Sequence, residues 1–307
     1  MRHSSTVWMD GELIPWERAT VHVSAHALQY GSSAFEGVRA YAHPDGPAVF
    51  RLPEHMERLA GSCHLAQLEL SHSLSDLSDA VCSTVRASGF ASCYIRPVVF
   101  RGHGTFSLDG RSGPVHVCII VSHMGEYLGE GASKKGVRVS VSTWRRPAPS
   151  TALLTAKIGG QYVNSQLVAM EAHDNGFDEG IALDFQGFVA EGSGENIFLV
   201  RNRVITTPPT STSILNGITR QSVITLAEEQ GYEVRSELVR RDDLYLADEV
   251  FFTGTAAEIS PIVQIDEHSV GDGGPGPITK QLADAFHDIV EGRVPDRHAW
   301  LTHVRAI

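Results

Sequence analysis

Thr155-Ala156-Lys157-Ile158-Gly159-Gly160-Gln161-Tyr162 is the stretch on which the reading of this chain turns. A Pro-rich segment precedes it. A helical pattern, Tyr162 to Asp174, follows, with Val163, Leu167 and Met170 on one face and Gly176 just past its end. A lysine that attacks a carbonyl must be neutral and held near its target. Ala156, Gly159 and Gly160 would let a flat ring approach the backbone. Taken alone, the stretch is better met by a solvated lysine ahead of a helix, the commoner state of lysine. Its charge beside a helix N-terminus is unfavourable, which counts slightly against that reading. Tyr162 would either hydrogen-bond a ring oxygen or pack as an amphipathic core tyrosine with its hydroxyl outside.

Working outward, Glu191-Gly-Ser-Gly-Glu195-Asn196 puts two acids in one Gly-rich turn. A carboxylate beside a pyridine nitrogen keeps that nitrogen protonated, and the cationic ring then draws electrons from a bound substrate. A turn glutamate in water is the plainer alternative. Gly217-Ile218-Thr219-Arg220 opens a helix, where free N–H groups and the Thr219 hydroxyl would hold an anion. Capping by Asn216 or Thr219 would explain it as well. Gly254-Thr255-Ala256-Ala257 follows a strand and is either a second anion nest or a strand-to-helix turn. Arg58 would neutralise phosphate bidentately, or would lie on a solvated helix face. Tyr94 and Arg96, two apart on a strand, share one face and would bind a carboxylate or form a sheet-surface ion pair. A lysine nucleophile, a carboxylate and a phosphate cradle together suit an enzyme that holds pyridoxal phosphate.

Composition bounds the rest. The 307 residues, 42% hydrophobic and 20% charged, suffice for one large domain or two ordinary ones. A formal charge of −11 argues against a non-specific nucleic-acid binder, which needs a basic face. No 18-residue apolar run occurs and the N-terminus has no apolar signal core, so no membrane association is expected. Four cysteines, at 63, 82, 93 and 118, form no C-x-x-C pair, which suggests a reducing cytoplasm without disulfides or zinc. Fifteen histidines are scattered, and no H-x-x-x-H pair sits on a clear helix beside a carboxylate, so no metal is expected.

Strands are expected at Val7–Met9 and Leu13–Pro15, flanking Asp10-Gly11, and at Ala34–Ala42 and Ala48–Arg51, flanking a His-Pro-Asp-Gly turn. Helices are expected from Pro53 to Leu65, with Met56, Leu59 and Cys63 in register, and from Ser75 to Ser88, capped by Ser75 and stopped by Gly89. Tyr94–Phe100 and Val115–Ser122 read as strands. Beyond them come strand Val137–Ser142, hairpins at 181–190 and 197–206, a helix from Gly217 to Gln230, strand Glu249–Thr253 and a C-terminal helix over 277–291. Residues 124–136, with four glycines and two lysines, read as a connector. The expected division is therefore a small N-terminal domain (1–123), the connector (124–136) and a larger C-terminal domain (137–307).

In order and over nearly its whole length, the chain resembles the branched-chain amino-acid aminotransferases, a pyridoxal-phosphate family of fold type IV. The resemblance is carried by Ser24-Ala-His-Ala-Leu-Gln-Tyr30-Gly, Phe35-Glu-Gly-Val-Arg39, His55-Met-Glu-Arg58-Leu, Tyr94-Ile-Arg96-Pro and Ala156-Lys157-Ile-Gly-Gly-Gln-Tyr162. Glu191-Gly-Ser-Gly-Glu195-Asn, Leu215-Asn-Gly-Ile-Thr-Arg220, Leu244-Tyr-Leu-Ala-Asp-Glu-Val250 and Gly254-Thr-Ala-Ala-Glu258 extend it. It implies a two-domain α/β (α+β) fold with the cofactor between the domains. It also implies a homodimer or larger assembly whose sites borrow a loop from the neighbour.

The resemblance further implies that Lys157 forms the Schiff base and moves the substrate proton, that Glu191 meets the pyridine nitrogen, and that Tyr162 meets the ring oxygen. Arg58, Ile218, Thr219 and Thr255 would hold phosphate, and Thr255 with Ala256 would offer backbone donors to the substrate carboxylate. Tyr30, Phe35, Gly37, Tyr94 and Tyr127 would line the side-chain pocket, and Arg96 would take the distal carboxylate of glutamate. The implied reaction moves the amino group of leucine, isoleucine or valine to 2-oxoglutarate by a ping-pong route. The Arg101–Arg111 loop and Met124 depart from the family pattern. They leave open a transaminase of another substrate (an amine, a D-amino acid or an unusual amino acid) or a pyruvate-releasing lyase.

Overall fold

Strand Val115–His123 lies antiparallel to Cys93–Arg101, in register from Tyr94↔Ser122 to Arg101↔Val115. This pair centres a sheet in a computed structural model that describes residues 2–129 and 131–304. The sheet runs in the order Leu301–His303, Ala48–Phe50, Val38–Tyr41, Cys93–Arg101, Val115–His123, Thr6–Met9, Glu12–Pro15. Arg2–His3 and Ser33–Phe35 pair off this path, and every ladder is antiparallel. Helices Leu52–Leu65 and Leu74–Ser88 pack on it, and Met56, Leu59, Leu77, Val81, Ile95, Ile119 and Val121 form its core.

Two sequence expectations shift around this sheet. The second helix is capped by Ser73, not Ser75: Ser73 accepts from Asp76 N–H and Asp76 accepts from Ser73 N–H, a capping box that satisfies two orphan donors at once. The expected strand over 34–42 is broken into Ser33–Phe35 and Val38–Tyr41. The break falls at Glu36–Gly37, where the glutamate side chain is fully buried and ion-paired. Arg51, in the left-handed region at φ 49°, turns the chain into the first long helix.

The second sheet, also nine-stranded among the described residues, is mixed. Its order is Val189–Gly192, Glu179–Leu183, Val137–Arg145, Glu258–Ile265, Glu249–Gly254, Asn196–Arg201, Val204–Thr207, Val234–Ser236, and His268–Ser269 pairs with Glu258–Ile265 off this path. Val137–Arg145 is parallel to both of its neighbours. A parallel neighbour needs a crossover, and helix Tyr162–Asp174 packs against that strand and Glu179–Leu183. The expected stripe on this helix is corrected: Val163 and Met170 are exposed, and Ser165, Val168 and Ala172 are buried. The helix comes so near the sheet that a Cβ on Gly180 would lie 2.7 Å from Val168 Cγ1, a spacing that only small inward residues permit.

The hairpin at Asn202-Arg203 is a two-residue turn with both residues at positive φ (50° and 64°), the twist that matches paired strands. Gly254-Thr255-Ala256-Ala257 joins two antiparallel strands and is not a strand-to-helix turn. Helix Pro277–Val290 begins on the buried Glu249 carboxylate, which accepts from Ile278 N–H (3.0 Å), Thr279 N–H (2.8 Å) and the Thr279 hydroxyl (2.7 Å). An anion there satisfies orphan donors and complements the helix dipole.

The chain divides into two compact units. One holds Met1–Met124, Ala156–Gln161 and Asp288–Ile307; the other holds Gly125–Thr155 and Tyr162–His287. A single cut at a connector does not describe this division. Ile158 bridges Ala34, and Leu301–His303 adds a strand beside Ala48–Phe50, so both late stretches belong to the first sheet. Part of the expected connector, Ala132–Lys135, is a short helix packed on strand Glu258–Ile265, and Glu130 lies outside the described residues.

Candidate active site

In the first unit, Lys157 is held by its backbone. Its N–H donates to the Ser62 hydroxyl at 3.0 Å, and its carbonyl accepts from Phe35 N–H at 3.0 Å. Ser62 comes from the first long helix and Phe35 from a sheet strand, so both anchors are rigid. The half-buried Lys157 amine stands 4.9 Å from the Phe35 ring centroid. Close backbone packing fixes the following glycines: Gly160 N–H donates to Gly31 O at 3.0 Å, and a Cβ on Gly31 would meet Gly160 Cα at 2.5 Å.

Arg58 and His55, one helical turn apart, share a face of helix Leu52–Leu65 and converge on Glu36. Arg58 Nε and Nη2 donate to the two Glu36 oxygens at 2.6 and 2.8 Å, and His55 Nδ1 stands 2.8 Å from Oε2. Burial by itself would raise the Glu36 pKa, but the Arg58 charge and fork, with His55, outweigh it and hold the carboxyl well below the usual range. Burial pushes His55 down, so it is a neutral donor to a carboxylate despite the opposing pull of Glu36.

Tyr94 and Arg96 share a strand face as expected: Arg96 Nη2 donates to Tyr94 Oη at 2.6 Å. The Arg96 guanidinium lies 4.7 Å from the Phe35 ring centroid and 5.2 Å from that of Tyr94. Its Nε is a buried donor without an acceptor among the described residues. Gly37 is buried under the Tyr94 hydroxyl. Tyr30 is exposed and donates to Phe106 O at 3.1 Å, which ties it to the divergent 101–111 loop.

In the second unit, Glu191 is buried on strand Val189–Gly192. Its Oε1 pairs with Arg146 Nη2 at 2.9 Å. Its Oε2 accepts from Asn196 Nδ2 at 3.2 Å and from Leu215 N–H at 3.1 Å. Asn196 also donates to Leu215 O at 2.9 Å, so one amide joins the carboxylate to the segment that enters helix Ile218–Glu229. The N-cap of that helix is Gly217, which has no side chain to cap the turn, and Ile218 and Thr219 are buried in its first turn. Orphan N–H groups at such a start, beside a threonine hydroxyl, make an anion site. Tyr162 opens helix Tyr162–Asp174, Thr255 and Ala256 are half-buried in the hairpin turn, and Tyr127 is exposed.

The first unit thus groups Phe35, Gly37, Arg58, Tyr94, Arg96 and Lys157, and the second groups Glu191 with the 215–219 segment. Sequence reasoning missed Glu36, His55, Ser62 and Arg146. His55 and Arg58 at a three-residue spacing pointed to a shared helix face, but nothing marked the carboxylate that they meet. Arg146, in a basic Pro-rich stretch, carried no signal.

A family model described as amino-transferase class IV matches residues 33–265. The branched-chain-amino-acid aminotransferase of Escherichia coli (strain K12) is 44% identical over 299 residues, 97% of each chain. The crystal structure of the T.th. branched-chain amino acid aminotransferase with pyridoxamine 5'-phosphate is similar at a TM-score of 0.96 and 43% identity, covering 99% of this chain and 100% of that one. The same enzyme complexed with N-(5'-phosphopyridoxyl)-L-glutamate gives a TM-score of 0.95 and 42% identity over the same shares.

Proposed function

Because this chain belongs to the class IV aminotransferases, we propose that it moves the amino group of leucine, isoleucine or valine to 2-oxoglutarate with pyridoxal phosphate as cofactor. The observation that carries this reading is the Phe35–Tyr94–Arg96 cluster beside Lys157. An aromatic wall suits an aliphatic side chain. A guanidinium with an unsatisfied buried nitrogen suits the distal carboxylate of glutamate, and the Tyr94 hydroxyl occupies that guanidinium in the meantime. One pocket can then serve both half-reactions in turn.

The residues present fit the cofactor. Arg58, the first turn of helix Ile218–Glu229 with Thr219, and Thr255 are donors of the kind that hold a phosphate dianion. Glu191, buried and fixed by three donors, suits a protonated pyridine nitrogen, and Tyr162 suits the ring oxygen. When bound, pyridoxal phosphate supplies the electron sink for the amino acid's α-carbon. Lys157 binds it and moves the proton at that carbon. Thr255 and Ala256 orient the substrate carboxylate through backbone donors.

We place the enzyme in the cytoplasm as at least a homodimer. Among the described residues, no helix is long and apolar enough to cross a membrane. Apolar side chains at Val23, Leu28, Phe106 and Leu108 stand exposed, as on a surface that a second copy would cover. Light scattering that found a fully active monomer would contradict the assembly.

Reductive trapping with borohydride and peptide mapping tests the chemistry. The adduct is expected on Lys157, and Lys157→Ala is expected to abolish valine–2-oxoglutarate exchange. A full rate in that variant overturns the proposal. Pyruvate released without an acceptor would indicate a lyase instead.

A further inference from the structure

The Arg146 guanidinium uses all three of its nitrogens. Nη2 pairs with Glu191 Oε1 at 2.9 Å. Nη1 donates to Asn164 Oδ1 at 3.1 Å and to the Ser165 hydroxyl at 3.2 Å. Nε donates to Ser213 O at 3.3 Å. Its side chain is 14% exposed and that of Glu191 is 8% exposed. Asn164 and Ser165 lie two and three residues beyond Tyr162 on the same helix, and Ser213 leads to the Leu215 N–H that donates to Glu191 Oε2. One cation therefore ties the Glu191 carboxylate to the helix that Tyr162 opens and to the segment that enters the Gly217 helix start.

We propose that Arg146 is a positioning residue that fixes Glu191 as an oriented carboxylate and registers it against the Tyr162 helix and the 213–219 segment. The proposal rests on the reading of Glu191 as the partner of the cofactor's pyridine nitrogen. A guanidinium nitrogen on a carboxylate oxygen makes a charge-assisted hydrogen bond, and here it meets one Glu191 oxygen, Oε1. The guanidinium, held by Asn164, Ser165 and Ser213 through its other two nitrogens, fixes where Nη2 meets Glu191 Oε1, which a flexible ammonium does not.

The test compares Arg146→Met, Arg146→Lys, Glu191→Gln and the double variant Arg146→Met/Glu191→Gln with the wild-type holoenzyme. Two quantities are read besides activity: the rate of pyridoxal phosphate loss on dilution, and the pH midpoint of the visible absorbance. Arg146→Met is expected to speed cofactor loss by about tenfold or more, since it removes the cation paired with the buried Glu191 carboxylate. It is also expected to move the pH midpoint, with far-UV circular dichroism unchanged. Arg146→Lys is expected to rescue part of both. In the double variant, the Arg146 change is expected to add little to the effect of Glu191→Gln.

Wild-type behaviour of Arg146→Met alongside an altered Glu191→Gln overturns the role of Arg146 and leaves Glu191 standing. An unaltered Glu191→Gln removes the reading of Glu191 and the proposal with it. Full additivity in the double variant overturns the claim that Arg146 acts through Glu191. If Arg146→Met does not fold, Arg146→Lys decides: wild-type values for both readouts overturn the need for a guanidinium with three anchored nitrogens.

Discussion

Gly37 lies directly beneath the Tyr94 hydroxyl: a Cβ at Gly37 would stand 2.3 Å from Tyr94 Oη and 3.1 Å from its Cζ. That hydroxyl accepts from Arg96 Nη2 at 2.6 Å, so the space left by one missing side chain sets where the arginine is held. Gly37→Ala is expected to push the Tyr94 ring aside and to cost about 1–3 kcal/mol of stability through overpacking. The KM for 2-oxoglutarate is expected to rise several-fold while that for valine moves less, because only the former calls on Arg96. Half-reaction titrations over a panel of amino acids measure the split. Equal changes for both substrates would separate Arg96 from carboxylate recognition.

Glu36 and its two partners make the first unit acid-sensitive in a definite direction. The folded pKa of Glu36 lies far below its ordinary 4.5: burial opposes this, and the Arg58 pair outweighs burial. Between the folded and unfolded values the unfolded chain binds more protons. The contribution of Glu36 is therefore complete above the unfolded value and is lost as pH falls toward the folded one. His55 acts in the same sense, since burial lowers it from 6.5 and the unfolded chain takes up its proton first on acidification. Urea unfolding is expected to show stability falling from near neutrality downward, with a shallower slope below about pH 5 in Glu36→Gln. Parallel slopes in the two proteins would remove Glu36 from the acid limb. Glu36→Ala, which removes the buried carboxylate that Arg58 and His55 both meet, is expected to cost roughly 3–5 kcal/mol at pH 7.

Much of this arrangement was legible in the residues. Met56, Leu59 and Cys63, at helix spacing, are all buried, and so are Leu77, Val81 and Val85. A two-residue spacing placed Tyr94 and Arg96 on one face, and they meet. What stayed hidden depends on what lies opposite. Apolar periodicity put Val163, Leu167 and Met170 on one face, but the buried face is that of Ser165, Val168 and Ala172, against a sheet that presents Gly180. Glu36 read as a strand residue because nothing local announces that a helix 19 positions later carries His55 to it. Arg146 and Glu191 are farther apart still, and long-range ion pairs leave no mark in either neighbourhood.

The four cysteines are all free, and burial raises every one of them: Cys63, Cys93 and Cys118 are pushed up to about 12, and Cys82 is raised as well. The thiolate is the reactive form, so raised, shielded thiols react slowly. A disulfide reagent at pH 8 is expected to modify the native enzyme at least about a hundredfold more slowly than a free thiol, and to count all four sites only after denaturation. Rapid stoichiometric labelling of the native protein would contradict the burial of these strands and helices.

Gly217 is an N-cap whose backbone, at φ −68° and ψ 139°, suits any residue. Serine normally improves such a position over glycine by a few tenths of a kcal/mol. Here the opposite is expected, because a Cβ would stand 2.1 Å from Asn196 Oδ1. Asn196 cannot yield without releasing both the Glu191 carboxylate and the Leu215 carbonyl that its amide holds. Gly217→Ser should therefore lower the melting temperature of the apoprotein and weaken pyridoxal phosphate binding together, despite the better cap. Calorimetry of the apoprotein and an absorbance titration with the cofactor measure the two effects. A higher melting temperature with unchanged affinity would mean that the helix start accepts a side chain and that Asn196 is free to turn away.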